Sequence, residues 1–192
     1  SSHHESGPGQ NEIDFMYDGS LASADNFITF KNVVKTIASL NGLHGSFMPK
    51  PFIDKSGSGL HINLSLFKDE DNIFLTDVNH NENAESFIAG ILGRIKEITA
   101  VLNPTVNSYK RFGGYNRSQL IRIPASKDKY CRMELRSADC TCNPYMAFSL
   151  LLKAGLEGIE KNKKLIAPVD KNMYSSLLEK DIDSLPDNLG EA

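Results

Sequence analysis

Apolar positions recur at helical spacing in three long segments of the chain. In "FITFKNVVKTIASLNG" they fall at Phe27, Phe30, Val33, Val34, Ile37 and Leu40, with Asp25 placed to cap the start and Gly42 to end it. "ESFIAGILGRIKEITAVLNP" repeats the pattern at Phe87, Ile88, Ile91, Leu92, Ile95 and Ile98 until Pro104, which lacks the amide hydrogen a helix needs. "NPYMAFSLLLKAGLEGIEKN" is apolar almost all round and predicts a third helix, buried on most sides. Short alternating segments lie between and before these helices: "EIDFMY" from residue 12, "LHINLSL" at 60–66, "LIRIP" at 120–124 and "CRMELRS" at 131–137. Strands and helices in mixed order predict an α+β fold. The tail after Lys161 is polar and loop-like, and no segment repeats.

The two-residue period of the strands separates a packing face from a chemical one. In "LHINLSL", Leu60, Ile62, Leu64 and Leu66 point one way and His61, Asn63 and Ser65 the other. In "CRMELR", Cys131, Met133 and Leu135 point inward, and Arg132, Glu134 and Arg136 share the opposite face. Polar strand faces commonly meet only water. A water-facing strand favours Lys, Glu and Thr, however, whereas His, Asn and Ser beside a glycine-rich turn suit a metal or a phosphate.

That turn is "DKSGSGLH", in which Gly57 and Gly59 allow close backbone approach to a ligand or simply make a flexible connection. The opening "HHESGPGQNEI" sets Glu5 and Glu12 across a Gly-Pro-Gly corner. There they form either a carboxylate pair for a divalent cation or a surface loop with incidental acids. In "NSYKRFGGYNRSQLIRIP" the cations Lys110, Arg111, Arg117 and Arg122 surround a short "FGGY", and Arg132 follows closely.

Composition narrows the possible roles of that cationic cluster. The 192 residues are 40% hydrophobic and 23% charged, with a net charge of −3, which fits one domain of an ordinary globular protein. The acidic balance argues against general nucleic-acid binding, so the arginines are a local device. No apolar run approaches the length of a membrane span, and the first residues lack the features of a secretory signal. Three cysteines in no metal-binding spacing read as reduced thiols of a cytoplasmic protein, with Cys140 and Cys142 as small packing residues. Phe15 and Tyr17 are candidates for stacking on a base or for ordinary packing.

Taken in order, "HHE…GPGQNEID", "MPKP…GSGLHINLSL", "NPTVNSYKR", "NRSQLIRIP", "RMELRSAD…NPYMAF" and "AGLEGI" resemble the catalytic domain of type I glutamine synthetase, from His3 to Ala192. The resemblance implies a curved, mainly antiparallel sheet, a half-barrel of the glutamine synthetase/guanido kinase type, flanked by helices. It implies ATP, glutamate and ammonia as substrates, Mg²⁺ or Mn²⁺ as cofactor and a parent homo-dodecamer. It makes Glu5 and Glu12 ligands of one metal, and His61 and Glu134 ligands of a second metal that bridges ATP phosphates. It places Gly57 and Arg111 on glutamate, and Arg117, Arg122 and Arg136 on the transferring phosphate and substrate carboxylate. Ser65, Lys129 and Arg132 fall on the nucleotide side, as does Arg117.

The sequence also departs from this pattern. Ser56 stands where the glycine-rich signature normally has Asn. Relatives carry a longer flap, typically with "PGYEAP", between the positions of Arg111 and Arg117, and here only "FGGYN" remains. The upstream domain, the strand with paired metal-binding glutamates and the helices after "NLGEA" are also expected to be absent from this stretch. The short segment reflects either excision with a diglycine join, which the diglycine favours, or stretches missing from the sequence as written. Two other readings stay open at this level: a ligase joining glutamate to polyamines or other amines, and a folded fragment without catalysis.

Overall fold

The computed structural model describes residues 1–75, 81–109, 120–124, 130–165 and 185–192. Arg111, Arg117, Lys129 and the "FGGY" segment lie outside them. The elements run β1 (Ser2–His4), β2 (Asn11–Ile13), α1 (Ser20–Leu40), β3 (Ile62–Leu64), β4 (Phe67–Lys68), β5 (Asp71–Asn72), α2 (Glu82–Leu102), α3 (Val106–Tyr109), β6 (Ile121–Arg122), β7 (Met133–Leu135) and α4 (Pro144–Glu160). The α+β expectation holds. Each predicted strand forms, but as two or three residues only.

Three antiparallel groups result: the hairpin β1-β2, the hairpin β4-β5 and a three-stranded sheet ordered β3-β7-β6. Among the described residues no strand closes the sheet into a barrel. Its buried face carries Ile62, Met133 and Leu135, packed with Ile91, Ile95 and Leu102 of α2 and Leu151 of α4. Each such side chain contributes roughly 1.5–3 kcal/mol by leaving water. The sheet is thereby pinned from behind, and its other face remains available for chemistry.

Helices α2 and α4 cross where both backbones lack side chains. A Cβ on Gly90 would lie 2.2 Å from the Ala154 carbonyl oxygen, and one on Gly158 would lie 2.1 Å from that of Ser86. Asn81 caps α2 by accepting from the Asn83 amide at 2.9 Å, and Asn143 caps α4 ahead of Pro144. Asn103, at the end of α2, donates to the Ser137 carbonyl at 2.9 Å and to Asp139 Oδ2 at 3.0 Å, which fixes the helix to the chain leaving β7.

Two expectations need correction. Asp25 does not cap α1, because the helix begins earlier, at Ser20 after Gly19; Asp25 instead accepts from the Tyr145 hydroxyl at 2.5 Å, linking α1 to α4. Gly42 does end that helix, in a left-handed conformation at φ +70° with Leu43 N–H donating to the Ala38 carbonyl. The apolar stripe of α1 is covered only near Ala24 and Phe27, leaving Val33, Ile37 and Leu40 exposed. Helix α4 is not buried on most sides: Ala147, Leu151 and Ala154 face the core, and Tyr145, Met146 and Leu156 do not. Apolar content alone does not say how many neighbours a helix has.

Candidate functional site

Register decides which polar residues of the sheet meet. Glu134 in the central strand β7 is paired with Asn63 of β3 on one side and Arg122 of β6 on the other. One strand step away in the same direction along β7 is Arg136, and His61 lies just before β3. Burial alternates in β3, where Ile62 is buried while His61 and Asn63 are exposed; in β7 all three residues are buried, and the contacts of Glu134 with His61 and Arg122 are what put it on the chemical face.

Glu134 is the centre of this face. It is only 5% exposed, an expensive place for a lone carboxylate. Three cations or potential cations compensate: His61 Nδ1 at 3.1 Å and Arg136 Nη1 at 3.4 Å from Oε1, and Arg122 Nε at 2.9 Å from Oε2. The Arg122 contact is an ion pair whose N–H is not aligned on the oxygen, and Oε2 accepts no hydrogen bond among the described residues. A buried carboxylate oxygen with open lone pairs beside an imidazole is a donor set that a hard divalent cation fits.

Arg132, two residues before Glu134 on the same strand, turns the other way along the face. Its Nε donates to Asn63 Oδ1 at 2.8 Å and its Nη1 to the Tyr130 carbonyl at 3.2 Å. Tyr130 meets Tyr17 edge to face, ring centroids 6.4 Å apart, and both rings are largely exposed. Phe15 has a different fate, packing edge to face on Phe30 of α1 at 5.1 Å. Of the two aromatic candidates, Tyr17 is the one connected to Arg132, through Tyr130. Ser65 follows β3 and is half-buried.

A second cluster sits on the β1-β2 hairpin. Pairing sets His3 opposite Glu12, and the Gly-Pro-Gly corner returns Glu5 to the same place, so ligand atoms of His3, Glu5 and Glu12 all lie within 4.8 Å of one another. Gly9 at φ +66° makes the corner possible. Burial, together with the Glu5 carboxylate hydrogen-bonded beside it, pushes the Glu12 carboxyl above its usual range. Two acids held this close repel one another, and a divalent cation relieves that repulsion. The sequence reading assigned Glu5 and Glu12 but not His3. Its position two residues before Glu5, on the same side of a strand, was the available signal.

The Gly57 loop joins the two clusters. Gly57 offers its carbonyl to the Gln10 side-chain amide at 2.9 Å, and Ser56 Oγ lies 2.7 Å from Ser6 Oγ, so the serine that departs from the family signature is tied to the hairpin. On the far side Leu60 N–H donates to the Ala138 carbonyl at 2.9 Å, and Cys140 Sγ–H to that of Gly59 at 3.4 Å. All three cysteines are free thiols. Burial pushes the Cys142 thiol up to about 12, which suits an inert packing residue. Gln10 and Ser6 were not singled out from sequence, because no spacing rule reveals a partner forty-seven or fifty residues away.

Of the site residues expected from sequence, the structure gathers His61, Glu134, Arg122 and Arg136 into one cluster and Glu5 with Glu12 into another, with Gly57 between. Arg111, Arg117 and Lys129 lie outside the described residues. No helix among the described residues is long and apolar enough to cross a membrane.

Known proteins resemble this chain in sequence and in fold. A sequence model of the family described as "Glutamine synthetase, catalytic domain" matches residues 1–192. The chain is 48% identical over 211 residues to a glutamine synthetase of Clostridium saccharobutylicum, covering 100% of this chain and 48% of that protein. It is 46% identical over 206 residues to one from Pyrococcus furiosus, covering 99% and 47%. A solved protein named GmaS, free of ligand, superimposes with a TM-score of 0.90 at 37% identity, covering all of this chain and 47% of that one; its ADP complex gives 0.89 at 36%, covering all and 48%. The chain thus spans about half the length of the relatives it matches. The sequence matches run longer than the 192 residues present, so the relatives hold residues with no counterpart inside this chain.

Proposed function

Because the chain belongs to the glutamine synthetase catalytic-domain family, we propose that it forms the catalytic-domain part of an ATP-dependent ligase that joins ammonia to glutamate. The observation that carries the reading is the contact of His61 with Glu134, with Arg122 and Arg136 on the same carboxylate. In the proposed chemistry the γ-carboxylate of glutamate attacks the terminal phosphorus of ATP, forming an oxygen–phosphorus bond and releasing ADP. Ammonia then attacks the carbonyl carbon of γ-glutamyl phosphate, and phosphate leaves.

Phosphoryl transfer asks the protein mainly for positioning and for positive charge on the equatorial oxygens. Arg122 and Arg136 are suited to that: their guanidinium groups are partly exposed beside Glu134 and present further N–H donors to a ligand. By family resemblance Arg117 is proposed to act on the transferring phosphate and Arg111 on the α-carboxylate of glutamate, with Gly57 supplying backbone contact. Arg132, Ser65, Lys129 and Arg117 form the proposed nucleotide side, with Tyr17 as a stacking candidate; that the structural neighbour GmaS is solved with ADP supports nucleotide binding by this fold. His61 and Glu134 would hold one Mg²⁺ or Mn²⁺, and Glu5 and Glu12, joined by His3, the other. When bound, such ions neutralise phosphate charge and orient the oxygens that react. In this reading the protein is cytoplasmic, its free thiols being consistent with a reducing compartment, and its parent assembles as a homo-dodecamer.

Titration of the chain with Mn²⁺ and a non-hydrolysable ATP analogue tests the assignment. Two classes of Mn²⁺ site are expected, one removed by Glu12→Gln and the other by Glu134→Gln, with the analogue tightening the second. Absence of both metal and nucleotide binding would leave a fold without the proposed site.

A further inference from the structure

Beside the contact of Ser6 with Ser56, the Gln10 side chain links two loops that are far apart in sequence and is the link that reaches the Gly57 backbone. Gln10 Oε1 accepts from the Gly7 amide at 2.9 Å, and Gln10 Nε2 donates to the Gly57 carbonyl at 2.9 Å. Its main chain closes the hairpin corner as well: Gln10 N–H donates to the Gly7 carbonyl at 3.0 Å, and its carbonyl accepts from Glu5 N–H at 3.1 Å. Both ends of the side-chain amide are engaged, one within the corner and one across to the glycine loop. The residue is half-buried, so water competes weakly for these bonds.

The corner that Gln10 closes is the one that brings Glu5 and Glu12 together. A cation bound between the two acids would draw both carboxylates onto itself and so reset the geometry of that corner. Any change in the corner moves Gln10, and with it the donor that orients the Gly57 carbonyl. The opposite end of the loop is fixed to the sheet through Leu60 and Ala138, so displacement at Gly57 is not dissipated by motion of the whole segment.

We propose that Gln10 is a positioning residue that couples metal occupancy at Glu5 and Glu12 to the order of the Gly57 loop. The metal site thereby prepares the backbone that meets the amino-acid substrate. Gln10 touches neither substrate nor metal in this scheme; it acts through the Gly57 carbonyl. The inference rests on the reading of Glu5 and Glu12 as a metal site, and its test separates the two.

Hydrogen exchange of the chain, read by mass spectrometry with and without saturating Mn²⁺, is compared for wild type, Gln10→Glu and Gln10→Met. Gln10→Glu keeps an acceptor for Gly7 N–H and replaces the donor to Gly57 by a carboxylate oxygen that repels its carbonyl; Gln10→Met removes both bonds without adding charge. In wild type, Mn²⁺ is expected to slow exchange at residues 56–59 by about five-fold or more. In Gln10→Glu the ion still binds but that protection is lost, while exchange in α2 is unchanged and reports an intact fold. Should Gln10→Met loosen the fold, Gln10→Glu decides. If Mn²⁺ binds wild type without protecting 56–59, or protects them equally in Gln10→Glu, the coupling role is overturned and the metal reading survives. If wild type binds no Mn²⁺, both fall.

Discussion

At the scale of single residues, Glu134 shows how burial and chemistry are combined. The carboxylate is almost inaccessible, yet its three partners are each at least a third exposed, so the negative charge is fixed and the positive ones are free to turn outward. Glu134→Gln should therefore cost modestly, about 2 kcal/mol, because it replaces charge-assisted bonds by weaker ones and leaves Arg122 and Arg136 facing each other. Thermal melting measures this, and the Mn²⁺ class assigned to His61 and Glu134 should vanish in the same variant. Unchanged melting with full metal binding would mean that Glu134 carries neither role. His61 and Glu134 were legible in the sequence because strand alternation puts them on chemical faces and the family resemblance gives those faces a purpose. Gln10 was not, since a side-chain amide reaching a backbone carbonyl across the fold leaves no periodic trace. His3 lay between these cases: its parity with Glu5 was visible, but three-residue strands are too short for parity to stand out.

Among the elements, the α2-α4 pair decides whether the sheet can hold its register. The crossing at Gly90 and Gly158 puts backbone against backbone, and nothing there can move aside for a methyl group. Gly90→Ala should destabilise by about 3 kcal/mol, in spite of the better helix propensity of alanine, because overpacking against a carbonyl outweighs it. Chemical denaturation that found Gly90→Ala as stable as wild type would contradict this crossing. The same two helices are bridged at their surface by Glu157, which meets Arg94 Nη2 of α2 at 3.2 Å and also pairs with Lys161. Lys161, then Arg94, holds the Glu157 carboxyl well below its ordinary range, down to about 2. A lowered carboxyl favours the folded state above its ordinary value of 4.5 and loses that benefit as pH falls toward 2. The melting difference between wild type and Glu157→Gln should thus be steady near neutrality, shrink below 4.5 and disappear near 2; a difference independent of pH would exclude the ion pairs as its cause. Helix α2 was legible because its periodic apolar face is buried as the pattern demands, whereas α4 was legible as a helix but not in which of its apolar sides is covered. Helix α1 was read correctly as a helix but not in its surroundings, for the pattern marks an apolar face without saying what covers Val33 or Ile37.

For the molecule as a whole, the proposed ligase reading has a consequence that the sequence itself makes sharp. Between Arg111 and Arg117 stand only Phe112, Gly113, Gly114, Tyr115 and Asn116, none with a carboxylate or imidazole. The family resemblance implies there a flap whose glutamate takes a proton from ammonium and covers the acyl phosphate. Ammonium cannot attack until it loses a proton, and an uncovered acyl phosphate is open to water, so both halves of amide formation lack a provider. Phosphoryl transfer is less exposed to this loss, because it draws on the arginines and proposed metal ligands that this chain retains. Incubating the chain with ATP, glutamate, ammonium and Mg²⁺ should therefore yield no glutamine, while any phosphate released should depend on glutamate and fall in Arg122→Ala and Arg136→Ala. Chromatographic detection of amide and colorimetric detection of phosphate in the same samples distinguish the two steps. Appreciable glutamine would show that another group serves as base and lid, and would refute the role given to the missing flap.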